Sequence, residues 1–140
     1  MTGNLFAYGT LMLPDVLEFI LERSLPSEPA TLGGFSRYMV RDRVFPAVIP
    51  DGKHDVHGLV LFGLTADDFH VLDDFESEIY ERRPASVRTT NGFFVTAELY
   101  VLKEEFRSLL SEEEWNCNIF KLRHLGQYLR DVREWKSMRK

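Results

Sequence analysis

The first 24 residues combine an apolar run, a turn signal and an amphipathic segment. Residues 4–8 are apolar and strand-like, and Gly9-Thr10 follows them at once as a turn. Pro14 suits the first turn of a helix, and the apolar residues that follow it stand among acidic ones at helical spacing. The pattern predicts a strand, a tight turn and a helix that ends near residue 24.

Prolines and glycines mark the next part of the chain. They interrupt residues 26–34, after which residues 35–40 look extended. The apolar run at 45–50 is flanked by prolines, which suits an edge strand or a loop. Residues 56–64 are apolar at both alternating sets of positions, a pattern typical of a strand buried on two faces.

Two later elements carry stronger local signals. Thr65 is placed to cap a short helix whose apolar residues recur at every third position, up to an end near Glu76. Two strand-like runs, 79–90 and 93–102, are joined by Asn91-Gly92, the strongest short signal of a β-hairpin. Local turn chemistry therefore predicts a helix followed by a hairpin.

The last third of the chain has a helical pattern. Residues 103–110 favour a helix, and apolar residues from Trp115 to Val132 then recur at intervals of three to four. This stripe predicts one long C-terminal helix that lies on the core. Since the sequence has no internal repeat or low-complexity linker, we expect a single domain over residues 1–140, with 111–140 as a C-terminal helical extension.

Composition narrows the class of protein. Hydrophobic residues make up 44% of the chain and charged residues 28%, which is the balance of a globular domain. The single cysteine excludes an internal disulfide and favours a reducing, cytoplasmic setting. No apolar stretch is long enough for a membrane span, and the first residues lack the basic region of a signal peptide.

The charge is acidic overall but unevenly distributed. A net charge of −5 argues against a general nucleic-acid binder. Residues 121–140, in contrast, hold seven Lys and Arg and only two Asp and Glu. This basic helix either docks on an acidic partner or membrane surface, or, more simply, packs against the acidic remainder of the chain. The oligomeric state stays open.

The turn after the first strand is one candidate binding site. A glycine between a strand and the start of a helix lets backbone N–H groups converge, and such donors suit a carboxylate or a phosphate. The segment Tyr8-Gly9-Thr10-Leu11 has this pattern. The same pattern is also common in turns that only connect two elements.

Glu76 is the candidate acid or base. It follows a helix, whose C-terminal carbonyl groups oppose an ionised carboxylate and so raise its pKa. Neighbouring acids act in the same direction, whereas Arg82 or Arg83 can offset them. A carboxyl group with a raised pKa suits general acid/base catalysis near neutral pH, but a solvated acidic helix end is the alternative. The neighbouring acids are Asp73, Asp74 and Glu78.

Other chemistries find no support in the residue pattern. The four histidines lack the spacing of metal ligands, and Cys117 has no patterned partner for nucleophilic catalysis. The sequence contains neither a serine-hydrolase elbow nor a phosphate-binding loop. We therefore assign no metal.

Five short motifs occur in a fixed order within residues 4–102. They are Tyr8-Gly9-Thr10-Leu11, Phe45-Pro46-Ala-Val-Ile-Pro50, Val56-His-Gly-Leu59, Leu72-Asp-Asp-Phe-Glu76 and Tyr80-Glu-Arg82. Each motif is unspecific by itself. The ordered set resembles the gamma-glutamylcyclotransferase-like family, in particular its plant branch named for avirulence-induced gene 2.

The resemblance implies an α+β fold, a small mixed β-barrel with helices packed outside it. It also implies a cavity in which Glu76 is the catalytic carboxylate and Tyr8 shapes the pocket. Tyr80 and Arg82 are further candidates for substrate binding. Ser77 stands where many relatives have glycine, which leaves the local turn and the substrate preference open. The backbone donors to the glutamyl end of the substrate are expected to be those of Gly9, Thr10 and Leu11.

The reaction implied by the resemblance is the cyclisation of a gamma-glutamyl amide to 5-oxoproline, with release of the attached amine and without a cofactor. Which amine leaves is not determined by the sequence. The alternative is a barrel that binds a small molecule or a partner without turnover, since a fold can persist after its activity is lost.

Overall fold

The structure of the protein is a computed structural model that describes residues 2–139. Five strands and four α-helices follow one another along the chain, with short 3₁₀ turns at Thr10–Met12 and Glu104–Leu109. In chain order they are β1 (Thr2–Ala7), α1 (Pro14–Leu21), β2 (Ser27–Met39), β3 (Pro46–Thr65), α2 (Ala66–Phe75), β4 (Tyr80–Thr89), β5 (Phe94–Leu102), α3 (Cys117–Arg123) and α4 (Leu125–Met138).

The strands form a mixed sheet that closes into a barrel in the order β1-β3-β2-β4-β5. The 20-residue strand β3 pairs with β2 through residues 46–61 and with β1 through residues 59–65. The circle closes where Leu5 of β1 lies beside Glu98 of β5, the parallel contact of an otherwise antiparallel sheet. The predicted α+β fold is confirmed.

The buried residues fall into two clusters. One consists of residues from all five strands together with Tyr8, and its largest fully buried member is Phe6. The other lies between the opposite faces of the strands and the helices, and includes Ile20 of α1, Leu72 of α2 and Val132 of α4. Successive residues of a strand point to opposite faces, so each strand serves both clusters.

The proline- and glycine-rich residues 26–34 were expected to interrupt regular structure. Most of them instead lie in the continuous strand β2. Gly34 has a φ of 79°, and the register with β3 shifts between Gly33 and Phe35. A β-bulge of this kind absorbs the irregular backbone without ending the strand. Residues 46–50 of the next apolar run likewise belong to β3, in a part where the recorded pairing is with β2 alone.

The two elements with strong local signals are confirmed. The side chain of Thr65 accepts a hydrogen bond from the N–H of Asp68, whose own side chain accepts from the N–H of Thr65. This reciprocal capping box starts α2. Strands β4 and β5 pair as a hairpin, and Gly92 in its turn has a φ of 83°, which glycine adopts readily.

The C-terminal stripe forms two helices and not one. The chain breaks at His124, with φ −125° and ψ −19°, between α3 and α4. Trp115 lies before α3, because the side chain of Asn116 caps that helix by accepting from the N–H of Ile119. Residues 103–110 contain a 3₁₀ turn where a helix was predicted. Of the helices within residues 2–139, none combines the length and the apolar character needed to cross a bilayer.

Candidate functional site

A cavity of about 410 Å³ lies where the end of β1, the loop before β3, the end of α2 and the helix α4 meet. Its walls are mainly aromatic, and the polar side chains at its surface come from separate elements. The aromatic residues that line it are Phe6, Tyr8, Phe45, Phe75, Tyr80, Tyr100, Tyr128 and Trp135.

The turn after β1 forms one wall of the cavity. A Cβ added to Gly9 would lie 2.9 Å from both Cδ and Cγ of Pro46, so a side chain does not fit there. The carbonyls of Gly9 and Thr10 accept from Met12 and Leu13. Among the hydrogen bonds recorded for residues 2–139, none uses the N–H of Gly9, Thr10 or Leu11, as expected for the open start of a helical turn.

Glu76 borders the cavity immediately after α2. Its backbone N–H donates to the carbonyl of Leu72 at 2.8 Å, which fixes the residue at the end of the helix. Its carboxyl group has no hydrogen bond or ion pair with any residue in the described range. Burial, and secondly the negative charge of Asp73, raise the pKa of Glu76 to about 8. The carboxyl therefore exchanges a proton near neutral pH.

Four tyrosines surround Glu76, and each of their hydroxyls has a partner in the protein. Burial is the main reason that the pKa of each tyrosine lies above its usual value, and the charge of Glu76 acts in the same direction. The hydroxyls are thus neutral and fixed in place. Tyr8 donates to the Tyr100 carbonyl at 2.7 Å, Tyr80 to the Pro46 carbonyl at 2.7 Å and Tyr100 to Asp73 Oδ1 at 2.7 Å, while Tyr128 Oη lies 3.0 Å from Thr10 Oγ1.

Residues 5–117 match the model of a family described as gamma-glutamyl cyclotransferase, AIG2-like. The chain belongs to this family. It is 43% identical over 89 residues to AIG2-like protein D of Arabidopsis thaliana, an alignment that covers 64% of this chain and spans only 59% of the relative's own length.

Solved structures share the fold of this chain. A solution structure of an Arabidopsis thaliana protein, 29% identical, superposes with a TM-score of 0.72 and covers 99% of this chain and 93% of that one. A crystal structure of a yeast gamma-glutamyl cyclotransferase specific to glutathione has a TM-score of 0.63 at 12% identity, with 95% of this chain and 94% of that one covered. At such low identity the yeast enzyme shows a shared fold only.

Most of the predicted site residues of this AIG2-like chain meet at one cavity. Glu76, Tyr80 and the whole turn from Tyr8 to Leu11 line it. Ser77, the residue after Glu76, lines it as well. Sequence reasoning thus located both sides of the cavity, although they lie more than sixty positions apart.

Arg82 is different, because the structure does not bring it to the cavity lining. A rise of about 3.3 Å per residue places Arg82 roughly 7 Å beyond Tyr80 along β4. There its Nε lies 3.0 Å from Asp73 Oδ1 and its Nη1 lies 3.0 Å from Glu98 Oε1. Its guanidinium carbon also lies 4.6 Å from the ring centroid of Phe69. Arg82 thus lies outside the cavity lining and contacts Asp73, and its role in substrate binding stays a prediction.

The cause of the raised Glu76 pKa also differs from the expectation. Sequence reasoning relied on the helix end and on three nearby acids, whereas burial is the largest cause and Asp73 is the acid that contributes. Asp74 points elsewhere and pairs with Arg139 at 2.9 Å. Burial of Glu76 depends on distant elements that fold over it, which local sequence cannot indicate.

Sequence reasoning missed two walls of the cavity. One is the loop at 42–45 before β3, of which only Phe45 belonged to a stretch that supported the resemblance, and no site role was assigned to it. The other is α4, which contributes Tyr128, Asp131, Val132 and Trp135 and lies outside the family-matched residues. The apolar stripe had indicated that this helix packs on the core, but nothing in its pattern separated cavity residues from packing residues.

No metal centre is apparent in the part of the chain that the structure describes. Within residues 2–139, no three His, Cys, Asp or Glu side chains are placed to hold a metal ion. Cys117 is half-buried at the start of α3 and does not line the cavity. The polar groups that line the cavity include the Glu76 carboxyl, the tyrosine hydroxyls and the backbone of the turn after β1.

Proposed function

We propose that this protein is a gamma-glutamyl cyclotransferase, which converts a gamma-glutamyl amide to 5-oxoproline and a free amine. One observation carries the proposal. The Glu76 carboxyl lines a cavity that is partly open to solvent, it has no hydrogen-bond donor or counter-ion among the described residues, and its pKa is raised to about 8. An acid left unpartnered in this way is available to a ligand.

The reaction needs one proton acceptor and one proton donor. The α-ammonium of the substrate loses a proton to the Glu76 carboxylate, and the free amine attacks the γ-carbonyl, so that a C–N bond forms and closes the five-membered ring. The bond to the leaving nitrogen then breaks, Glu76 returns its proton to that nitrogen, and the ring nitrogen releases its second proton to solvent, which leaves the neutral lactam. Such general acid/base roles contribute about 10² to 10⁴ in rate.

Positioning supplies a further part of the rate. Nucleophile and electrophile belong to one molecule, so the cavity need only hold it in a folded-back conformation, an effect that reaches effective molarities of roughly 10⁵ M or more. We assign the free N–H groups of Gly9, Thr10 and Leu11 to the glutamyl carboxylate. Tyr8 and Tyr80, held by hydrogen bonds to backbone carbonyls, shape the pocket around the reacting atoms.

The test is a 5-oxoproline assay with wild type and Glu76→Gln on a panel of gamma-glutamyl amides and peptides. The amide keeps the shape of the side chain but cannot exchange a proton, so turnover should fall by about 10²-fold or more. Glu78→Gln is the matched control, because Glu78 is an exposed glutamate two residues further on. Circular dichroism should show the same fold in all three proteins.

Two results would contradict the proposal. Turnover by Glu76→Gln at the wild-type rate would remove Glu76 from the mechanism. Binding of gamma-glutamyl compounds without 5-oxoproline from any of them would favour the non-catalytic barrel instead.

A further inference from the structure

The carboxyl group of Asp73 is the meeting point of two other side chains. Its Oδ1 accepts a hydrogen bond from Tyr100 Oη at 2.7 Å and lies 3.0 Å from Arg82 Nε. Arg82 also pairs with Glu98, so its positive charge is shared between two carboxylates and offsets the charge of Asp73 only in part. Arg82 and Tyr100 are partners in the β4–β5 register, which places both beside the end of α2.

Tyr100 faces both Asp73 and the cavity that contains Glu76. It is buried, it lines the cavity, and burial together with the charges of Asp73 and Glu76 raises its pKa. Its carbonyl accepts the hydroxyl proton of Tyr8. A tyrosine hydroxyl has only one proton to donate, and here that proton is directed to Asp73 and not to Glu76.

We propose that Asp73 is a positioning residue: it holds the hydroxyl proton of Tyr100 and so leaves the carboxyl group of Glu76 without a protein donor. This role rests on the proposed function of Glu76 as acid and base. A hydrogen bond donated to a carboxylate favours its charged form and lowers its pKa. By keeping Tyr100 turned away, and by its own negative charge, Asp73 keeps Glu76 able to take a proton from the substrate and return it.

The other groups around Glu76 cannot be redirected as simply. The hydroxyls of Tyr8 and Tyr80 donate to backbone carbonyls, and that of Tyr128 meets Thr10. Tyr100 is thus the neighbour whose proton is held by an ionisable side chain. The titratable and charged groups facing Glu76 are Tyr8 after β1, Asp42 and Arg43 before β3, Asp73 on α2, Tyr80 on β4, Tyr100 on β5, and Tyr128 and Asp131 on α4.

Three variants separate the two effects of Asp73. Asp73→Asn removes the charge but keeps an oxygen that can accept from Tyr100. Asp73→Ala removes both and releases the hydroxyl, which can then donate to Glu76. Asp73→Ala with Tyr100→Phe removes the charge and the released donor together.

The Glu76 pKa should therefore be highest in wild type, lower and similar in Asp73→Asn and in the double variant, and lowest in Asp73→Ala. Each step should be about 0.5 to 1 pH unit, because Asp73 is partly exposed and its field is screened. The control is Asp74→Asn, which neutralises the adjacent acid that pairs with Arg139 and should leave the Glu76 pKa unchanged.

The measurement is an NMR titration of glutamate side-chain carboxyls in ¹³C-labelled protein, with Glu76→Gln to assign the Glu76 signal. Equal Glu76 pKa values in Asp73→Ala and in the double variant would overturn the proposal, as would a lower value in Asp74→Asn. The titration needs no turnover, so it stands even if no amide yields 5-oxoproline. Where turnover occurs, the acidic limb of kcat/KM against pH should move in the same order.

Discussion

A single carboxyl group, that of Glu76, links the chemistry of the site to the stability of the fold. Its pKa rises from the ordinary glutamate range in the unfolded chain to about 8 in the folded protein. Between these values the folded state binds more protons than the unfolded state, so this group stabilises the fold at low pH and the effect is lost as pH rises through about 8.

We therefore compare the free energy of unfolding of Glu76→Gln with that of wild type at two pH values. The difference should favour the variant more at pH 8.5 than at pH 4. Between pH 4 and pH 8.5 this difference in the free energy of unfolding should change by on the order of 2–4 kcal/mol. Each unit of pKa difference corresponds to about 1.4 kcal/mol, and the partial accessibility of the side chain reduces the total. Urea unfolding of both proteins at the two pH values measures it. A pH-independent difference between the two proteins would show that the Glu76 carboxyl is not buried.

Gly9 is important at the residue scale for a steric reason. Because its missing Cβ would lie 2.9 Å from two ring carbons of Pro46, Gly9→Ala must displace the turn or the proline. Pro46 cannot yield easily, as its carbonyl accepts from Tyr80 and it starts β3. We expect a loss of about 1–3 kcal/mol in the free energy of unfolding, the usual cost of overpacking.

Denaturant unfolding of Gly9→Ala should be compared with Gly126→Ala on α4. An added Cβ at Gly126 meets only Arg130 Nη1, at 3.9 Å. Alanine in a helix is favoured over glycine by about 0.5–1 kcal/mol, so this control should gain stability. A Gly9→Ala variant as stable as wild type would contradict the inference that the turn packs too tightly on Pro46 to accept a side chain.

At the scale of elements, the sequence predicted those parts whose signals are local. The helix cap at Thr65 and the turn at Asn91-Gly92 each specify a structure within a few residues, and both formed as predicted. The run 26–34 was misjudged because its pairing with β3 decides its conformation. The break at His124 was also missed, since the apolar stripe continues through it.

The same distinction holds for the site. The motifs at Tyr8–Leu11 and Glu76 carried the resemblance and identified two walls of the cavity. Arg82 was placed in the site by its motif alone, and only the structure shows that it contacts Asp73. The contribution of α4 arises from contacts across the chain, such as that of Tyr128 with Thr10, which no local pattern records.

At the scale of the whole molecule, basic residues at the C-terminal end of α4 and just after it contact the acidic remainder of the chain. Lys136 lies 3.3 Å from Glu22 and donates to the carbonyl of Ile20, while Arg139 pairs with Asp74. The apolar face of the helix lies on the core and on the cavity. These contacts favour internal packing over docking on an acidic partner as the explanation of the basic helix.

Trp135 tests whether this helix is part of the site. Its ring meets Phe75 edge to face at 5.1 Å, beside Glu76, and forms part of the cavity wall. Trp135→Ala removes a large share of that wall, while the turn after β1 and the Glu76 carboxyl remain. We expect substrate affinity to fall more than the rate of ring closure, so that KM for a gamma-glutamyl amide rises about tenfold, equivalent to about 1.4 kcal/mol, with a smaller change in kcat.

The control is Glu134→Ala, which changes the exposed residue next to Trp135 on the same helix. Steady-state kinetics should show wild-type KM for this variant, because its side chain lies away from the cavity. An unchanged KM in Trp135→Ala would mean that substrate does not reach α4 and that the turn and Glu76 hold it alone. A raised KM would show that α4 completes the binding site. This helix lies outside the family-matched residues 5–117 and supplies one wall of the cavity.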